Sequence, residues 1–247
     1  MAASLNQISR FRAFLASDPT NTSLICDLVD AYLSVAQYQE AGQLFETLDA
    51  KLLNSPGVAF RHARISLILG RYEDSIEVLK SLIDRGDNDL SIWHDLAFCY
   101  LCLRKTNEAR YSIAEAEKRF GDNAELSIVA GRVALMDGNF ELAHAELAKA
   151  LTLAPEHSTA MGLQALAYLD SDKQDIAFET AKNCLSLYPE QHEALLVAGT
   201  VSLWRQDITN ASDFFTRVLD RHPYSGRARY VYGLAMMWLN KVSEAQV

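Results

Sequence analysis

Cys99 and Cys102 form a C-x-x-C pair, with His94 about a turn upstream in the segment IWHDLAFCYLC. Such a pair does redox chemistry when a helix N-terminus or a nearby cation stabilises one thiolate. It holds structural zinc when two further ligands stand at suitable spacing. Neither condition is met, because the pair lies in the middle of an apolar helical pattern and no fourth ligand accompanies His94. The thiols read as core fillers. His157, His192 and His222 fall between apolar segments on one edge, where the chemistry they could offer is a surface metal contact. Glu73 and Asp74 stand together at a helix start, where two carboxylates favour the helix dipole without any catalytic duty. There is no glycine-rich phosphate loop, no G-x-S-x-G and no H-E-x-x-H. The expectation is a protein that is not an enzyme, with no cofactor and no resident metal.

The residues around these groups say what positions them. The chain has 247 residues, 49% of them hydrophobic, which is enough for a substantial core. Only 11 glycines and 5 prolines occur, and strands with tight turns would need more, so helices are favoured. The net charge of −9 repels a phosphate backbone and argues against a nucleic-acid partner. No stretch approaches the roughly 18 uncharged apolar residues of a membrane span, so no membrane partner is expected. The opening MAASLNQISRFRAFLASDP lacks the pattern of a secretory signal. Cys26, Cys99, Cys102 and Cys184 form no paired framework, and free thiols suit a reducing cytoplasm.

LTLAPEHSTAMGL and LSLYPEQHEALLV place Pro155 and Pro189 34 residues apart, and Pro19 and Pro223 fall in the same phase. A fixed period of this length marks a repeat architecture. Units then begin at Thr22, Pro56, Leu90, Ala124, Ser158, His192 and Gly226. Their eighth residues are Val29, Ala63, Ala97, Gly131, Ala165, Gly199 and Gly233, and their twentieth are Ala41, Ser75, Ala109, Ala143, Ala177, Ala211 and Ala245. Small side chains at these places let two helices approach. Large ones fill the complementary holes, with Phe45, Leu79, Ile113, Leu147 and Phe215 at the twenty-fourth position and Tyr32, Tyr100, Tyr168 and Met236 at the eleventh. Each unit is expected to be two antiparallel helices, A over about the first fourteen residues and B over about the eighteenth to thirtieth. GRYEDS and DGNFEL mark A–B turns, where glycine can take a left-handed helix end.

This frame resembles the tetratricopeptide repeat (TPR). Trp93, Leu96, Ala97, Tyr100 and Ala109 stand on the family's positions in the third unit, and Gly131, Gly138, Phe140, Ala143, Ala150 and Pro155 in the fourth. The second unit departs most, with His62 and Ser66 where Leu and Tyr are expected and Asp87 for the proline. The resemblance implies an all-α fold, a right-handed α-solenoid of antiparallel helix pairs. Residues 1–21 would be a lone helix capping the array, with Phe11 and Phe14 facing inward. Residues 22–55, 56–89, 90–123, 124–157, 158–191 and 192–225 would be six repeats, and 226–247 an incomplete seventh. The open end is expected to be a fragment boundary. The alternative is head-to-tail self-association, the lone helix of one copy completing the open repeat of another.

In that fold the inner surface is lined by helix A. The candidates there are Phe60, Arg61, Arg64, His94, Phe98, Arg132, Leu166, Trp204, Tyr230 and Trp238. The last repeats are mostly apolar at lining positions, through Leu163, Leu169, Leu196, Val197 and Leu203, about half of which are assigned to packing between helices. Aromatic anchors dominate interface energies, so the expected partner is a protein or peptide segment, apolar or amphipathic, laid in the groove. Arg61, Arg64 and Arg132 could meet its carboxylates; equally, they form a solvated face or pair within the chain with Asp95 and Glu125. The carboxylate clamp of TPR co-chaperones is missing, since Cys26 and Asp30, Phe60 and Arg64, His94 and Phe98 occupy its places. The expected function is a scaffold, adaptor or chaperone-like module; the alternative is an N-terminal regulatory or docking region of a longer enzyme whose catalytic domain lies beyond residue 247.

Overall fold

The computed structural model describes residues 2–221 and 229–237, and every regular element among them is an α-helix. Two compact units divide the chain, residues 1–121 and 122–247. The first holds α1 (Ala2–Ser17), α2 (Thr22–Ser34), α3 (Tyr38–Glu46), α4 (Ala50–Leu53), α5 (Pro56–Ile68), α6 (Tyr72–Asp84), α7 (Leu90–Cys102) and α8 (Thr106–Phe120). The second holds α9 (Ala124–Met136), α10 (Phe140–Leu153), α11 (Ser158–Asp170), α12 (Gln174–Leu187), α13 (His192–Trp204) and α14 (Ile208–Arg221), with residues 229–237 also helical.

Helix starts are written locally. Asn21 Oδ1 accepts from the Leu24 amide at 3.1 Å, Asp89 from that of Ser91 at 2.8 Å, and Asn123 from that of Glu125 at 2.9 Å. Each such cap satisfies an orphan donor and contributes about 1 kcal/mol. Pro56 begins α5, where no amide is needed. The turns from A to B helices are equally regular. Ala36, Gly70, Arg104, Gly138, Asp172 and Gln206 all have φ between 57° and 77°. In each, the next amide reaches back to a carbonyl near the helix end, as Gln37 does to Tyr32 at 3.0 Å and Lys105 to Tyr100 at 2.8 Å. This closure is the left-handed helix stop that glycine favours, yet four of these six positions carry a side chain.

Between the paired helices the small residues do what their size allows. Ala63, Ala97 and Ala165 are fully buried on A helices, as are Ala41, Ser75, Ala109, Ala143, Ala177 and Ala211 on B helices. Gly131 and Gly199 are holes: a Cβ on the first would lie 2.7 Å from Leu147 Cγ, and on the second 2.6 Å from Phe215 Cε1. Gly233 differs, because an added Cβ there would meet nothing within 4 Å; the stretch that would pack on it lies outside the described residues, as does Ala245.

Two expectations need correction. Helix B of the first repeat does not run unbroken: α3 ends at Glu46, and Asp49 caps the separate α4 by accepting from Leu52 at 2.8 Å. On α1, Phe14 does not face inward but is 49% exposed. Ile8, Phe11 and Leu15 form the packed stripe instead, spaced by three and four residues as one helical face requires.

Candidate protein-interaction face

In the first unit the A helices α2, α5 and α7 carry the charged and aromatic candidates. Arg61 on α5 grips Asp30 on α2 with two prongs, Nε–Oδ1 at 2.9 Å and Nη2–Oδ2 at 2.5 Å. Arg64 on α5 turns the other way, its Nε 3.5 Å from Asp95 Oδ2 on α7, and its guanidinium lies 5.8 Å from the centre of the Phe60 ring. Asp95 also meets His94 Nδ1 at 3.0 Å, and the His94 imidazole stacks on Phe98 at 6.4 Å with 13° between planes. Phe60, His94 and Phe98 are half-buried, so part of each ring is open to solvent. The two carboxylates thereby fix two arginines, one of them over the Phe60 ring. The exposed Arg61–Asp30 pair adds ~0.2–1 kcal/mol to stability; the larger effect of both pairs is to hold side chains in place.

The second unit disposes of its candidates differently. Arg132 Nη2 on α9 reaches Glu193 Oε1 on α13 at 2.9 Å, and Gln191 Nε2 donates to Glu193 Oε2 at 2.5 Å. Gly162 on α11 makes room for Gln191, whose Oε1 would lie 2.1 Å from a Cβ there. Glu193 is buried, so the partner of Arg132 is this internal carboxylate and not Glu125, which pairs with His157 at 3.0 Å. Leu166 is half-buried against the core. Leu163, Leu169, Leu196, Val197 and Leu203 are buried. Their apolar excess is therefore packing, and α13 in particular is enclosed on nearly all sides: each residue from Glu193 to Leu203 is buried. Trp204, 49% exposed, and Tyr230, 69% exposed, remain open to solvent. Trp238 lies outside the described residues.

The sulfur chemistry follows burial. Cys99 is fully enclosed, its Sγ 3.4 Å from Ser75 Oγ, and burial pushes its thiol up to about 11. Cys184 is pushed up to about 11 for the same reason. Thiols so far from ionising are poor nucleophiles. Among the described residues no group of three or more His, Cys, Asp or Glu is placed to hold a metal, and no helix is long and apolar enough to cross a membrane.

Comparison with known proteins agrees with this architecture. Residues 128–182 match the tetratricopeptide repeat family model. A solved tetratricopeptide repeat protein from Parabacteroides merdae superposes with a TM-score of 0.78 at 13% identity, over 94% of this chain and 92% of that one. A chain of the APC/C hetero-tetramer Cut9–Hcn1 gives a TM-score of 0.74 at 16% identity, over 93% of this chain and 46% of the matched one. In sequence, the chain is 27% identical over 139 residues to the BBSome complex member BBS4 of Bos taurus, covering 56% of this chain and 27% of that protein. The Caenorhabditis elegans BBSome complex member bbs-4 is 22% identical over 190 residues, 74% of this chain and 41% of that protein. The chain thus spans well under half the length of these relatives. Its fold is that of the TPR solenoids.

Proposed function

We propose that this TPR solenoid is a non-catalytic scaffold for protein partners, a component of a multi-subunit assembly of the kind its BBS4 relatives are named for. In this reading the A-helix face of the first unit takes an apolar or amphipathic segment of another subunit. One observation carries it: the half-open Phe60, His94 and Phe98 rings, with Arg64 over Phe60 and paired to Asp95, which also holds the His94 that stacks on Phe98. Rigid aromatic groups with little entropy left to lose are the residues on which interface energy concentrates. Trp204 and Tyr230 would form a second contact in the other unit. The net charge of −9 makes a phosphate-bearing partner unfavourable, and the cytoplasm is the compartment this composition suits.

The test is reconstitution with the other members of a BBSome complex, comparing wild type with Phe60→Ala and Phe98→Ala combined. Losing one good anchor costs about 2 kcal/mol, a roughly thirtyfold loss of affinity. Recovery of the partners should fall while far-UV circular dichroism is retained. Equal recovery by both proteins would remove the A-helix face from consideration.

A further inference from the structure

We propose that the crevice between α6 and α8, floored by α7, is a docking site for an extended proline-rich segment of a partner protein that carries a basic residue. This site is separate from the A-helix face and stands or falls without it. The crevice has a volume of about 690 Å³ and is lined among others by Asp84, Trp93, Leu96, Glu108, Tyr111 and Arg119.

A twin in the same unit shows which of its features are merely structural. A crevice of about 600 Å³ lies between α1 and α3, and Arg12, Leu28, Tyr32 and Glu40 in it correspond, 68 residues on, to Lys80, Leu96, Tyr100 and Glu108. In the first, Arg12 Nε donates to the Tyr32 hydroxyl at 2.6 Å; in the second, Lys80 lies 5.8 Å from the centre of the Tyr100 ring. The basic residue and the phenol therefore stitch a B helix to the next A helix wherever both occur. What the α6–α8 crevice adds is Trp93 in place of Ile25, Tyr111 in place of Gln43 and Asp84 in place of Ala16.

Those additions are unfinished as intramolecular structure. Trp93 is only 4% exposed, yet its Nε1–H has no hydrogen-bond partner. A buried donor left so is destabilising, and a protein acceptor is what it lacks. Tyr111 leaves 67% of its surface in water on the crevice wall. Asp84 is exposed and adds a second carboxylate to Glu108, which the twin shares as Glu40; the charge of both reaches Lys80 only across space. Arg119 covers the Trp93 ring at 4.5 Å and is shared with Glu115 on its own helix at 3.6 Å, so it can swing off the indole without losing its ion pair.

The occupant must bring an acceptor, an apolar body and a positive charge. A helix has already spent its main-chain carbonyls. A polyproline II segment has no internal hydrogen bonds and presents every carbonyl. Its rings suit aromatic-lined grooves, and its fixed φ lowers the ordering cost. A basic side chain at its end would meet Asp84 and Glu108.

The protein with ¹⁵N-labelled tryptophan would be titrated with a capped peptide of prolines, one leucine and one arginine, and with the same peptide carrying glutamate for arginine. Trp93→Phe identifies the indole signal. The Trp93 N–H signal should shift and saturate with the arginine peptide, while the other indole signals stay. Asp84→Lys with Glu108→Lys should weaken binding roughly tenfold, Tyr111→Ala should weaken it with helical content unchanged, and Glu40→Lys in the twin crevice should not alter it. A Trp93 signal that stays fixed at saturating peptide, or binding that ignores the charge reversal or responds equally to Glu40→Lys, overturns the proposal.

Discussion

Gly199→Ala is the sharpest test of how the hairpins close. Helix propensity alone says the change stabilises, by about 1 kcal/mol. The hole says otherwise. The new methyl would lie 2.6 Å from Phe215 Cε1 and 2.9 Å from both Cδ1 and Cζ, and Phe215 is fully enclosed. Overpacking of this kind costs about 1–3 kcal/mol, so the net effect is a loss of about 1 kcal/mol. The reasoning becomes decisive when the phenyl ring is removed. Phe215→Ala alone should cost about 3–5 kcal/mol. In that background the clash is gone, only the propensity gain remains, and Gly199→Ala should now stabilise by about 1 kcal/mol. The sign of one substitution thus reverses with its neighbour, a coupling of about 2 kcal/mol for groups in contact. Urea denaturation followed by far-UV circular dichroism on the four proteins reads it. A Gly199→Ala that stabilises equally in both backgrounds would refute the knob-in-hole account.

Two further outcomes follow from buried polar groups. His62 and His144 both have pKa values below the ordinary histidine range, through burial first and, for His144, the nearby Lys173 next. Gln164 Nε2 donates to His144 Nδ1 at 2.9 Å, so a proton arriving there would face another donor. The unfolded chain then binds protons more readily than the folded one. Stability is full above about pH 6.5 and falls as pH drops through the lower folded values; a pH series of denaturation curves shows this, and His144→Gln should flatten it. Arg132→Ala should cost about 1–2 kcal/mol of stability by stranding the buried Glu193 carboxylate, with Glu193→Gln added to it restoring part of the loss. If Arg132 were only a free docking group, thermal denaturation would not register its removal.

The repeat was legible because its two determinants are written in residue size and period. A 34-residue phase and small side chains at the eighth and twentieth positions point to paired helices, and the buried alanines with Gly131 and Gly199 lie at those seams. The left-handed turn was legible only in part. Gly70 and Gly138 announce it, whereas Ala36, Arg104, Asp172 and Gln206 adopt it with a side chain. A non-glycine residue pays about 1 kcal/mol or more for that backbone, and here the amide closures to the preceding helix impose it. Sequence carries the preference of a residue, not the constraint its neighbours place on it. The inward stripe of α1 failed for a related reason: Phe11 and Phe14 are the larger side chains, but Ile8 and Leu15 share the face of Phe11.

The candidate face was harder to read, because an apolar residue on an A helix has two possible neighbours and the pattern does not say which is present. In the second unit the neighbour is internal. Leu169 and Val197 are buried in one cluster of α11, α12 and α13, Leu196 and Leu203 in another with α14, and Leu163 in a third with α9 and α10, and Arg132 finds a carboxylate 61 residues away. No local pattern anticipates a partner at that distance. In the first unit the fifth and ninth positions hold Phe60 and Arg64, then His94 and Phe98, with Arg64 paired to Asp95 and all three rings half-buried. The difference rests on polarity. Where lining residues are aliphatic, adjacent A helices close on them; where they are charged and aromatic, the cost of desolvating the charges opposes closure, and Phe60, His94 and Phe98 stay half-buried.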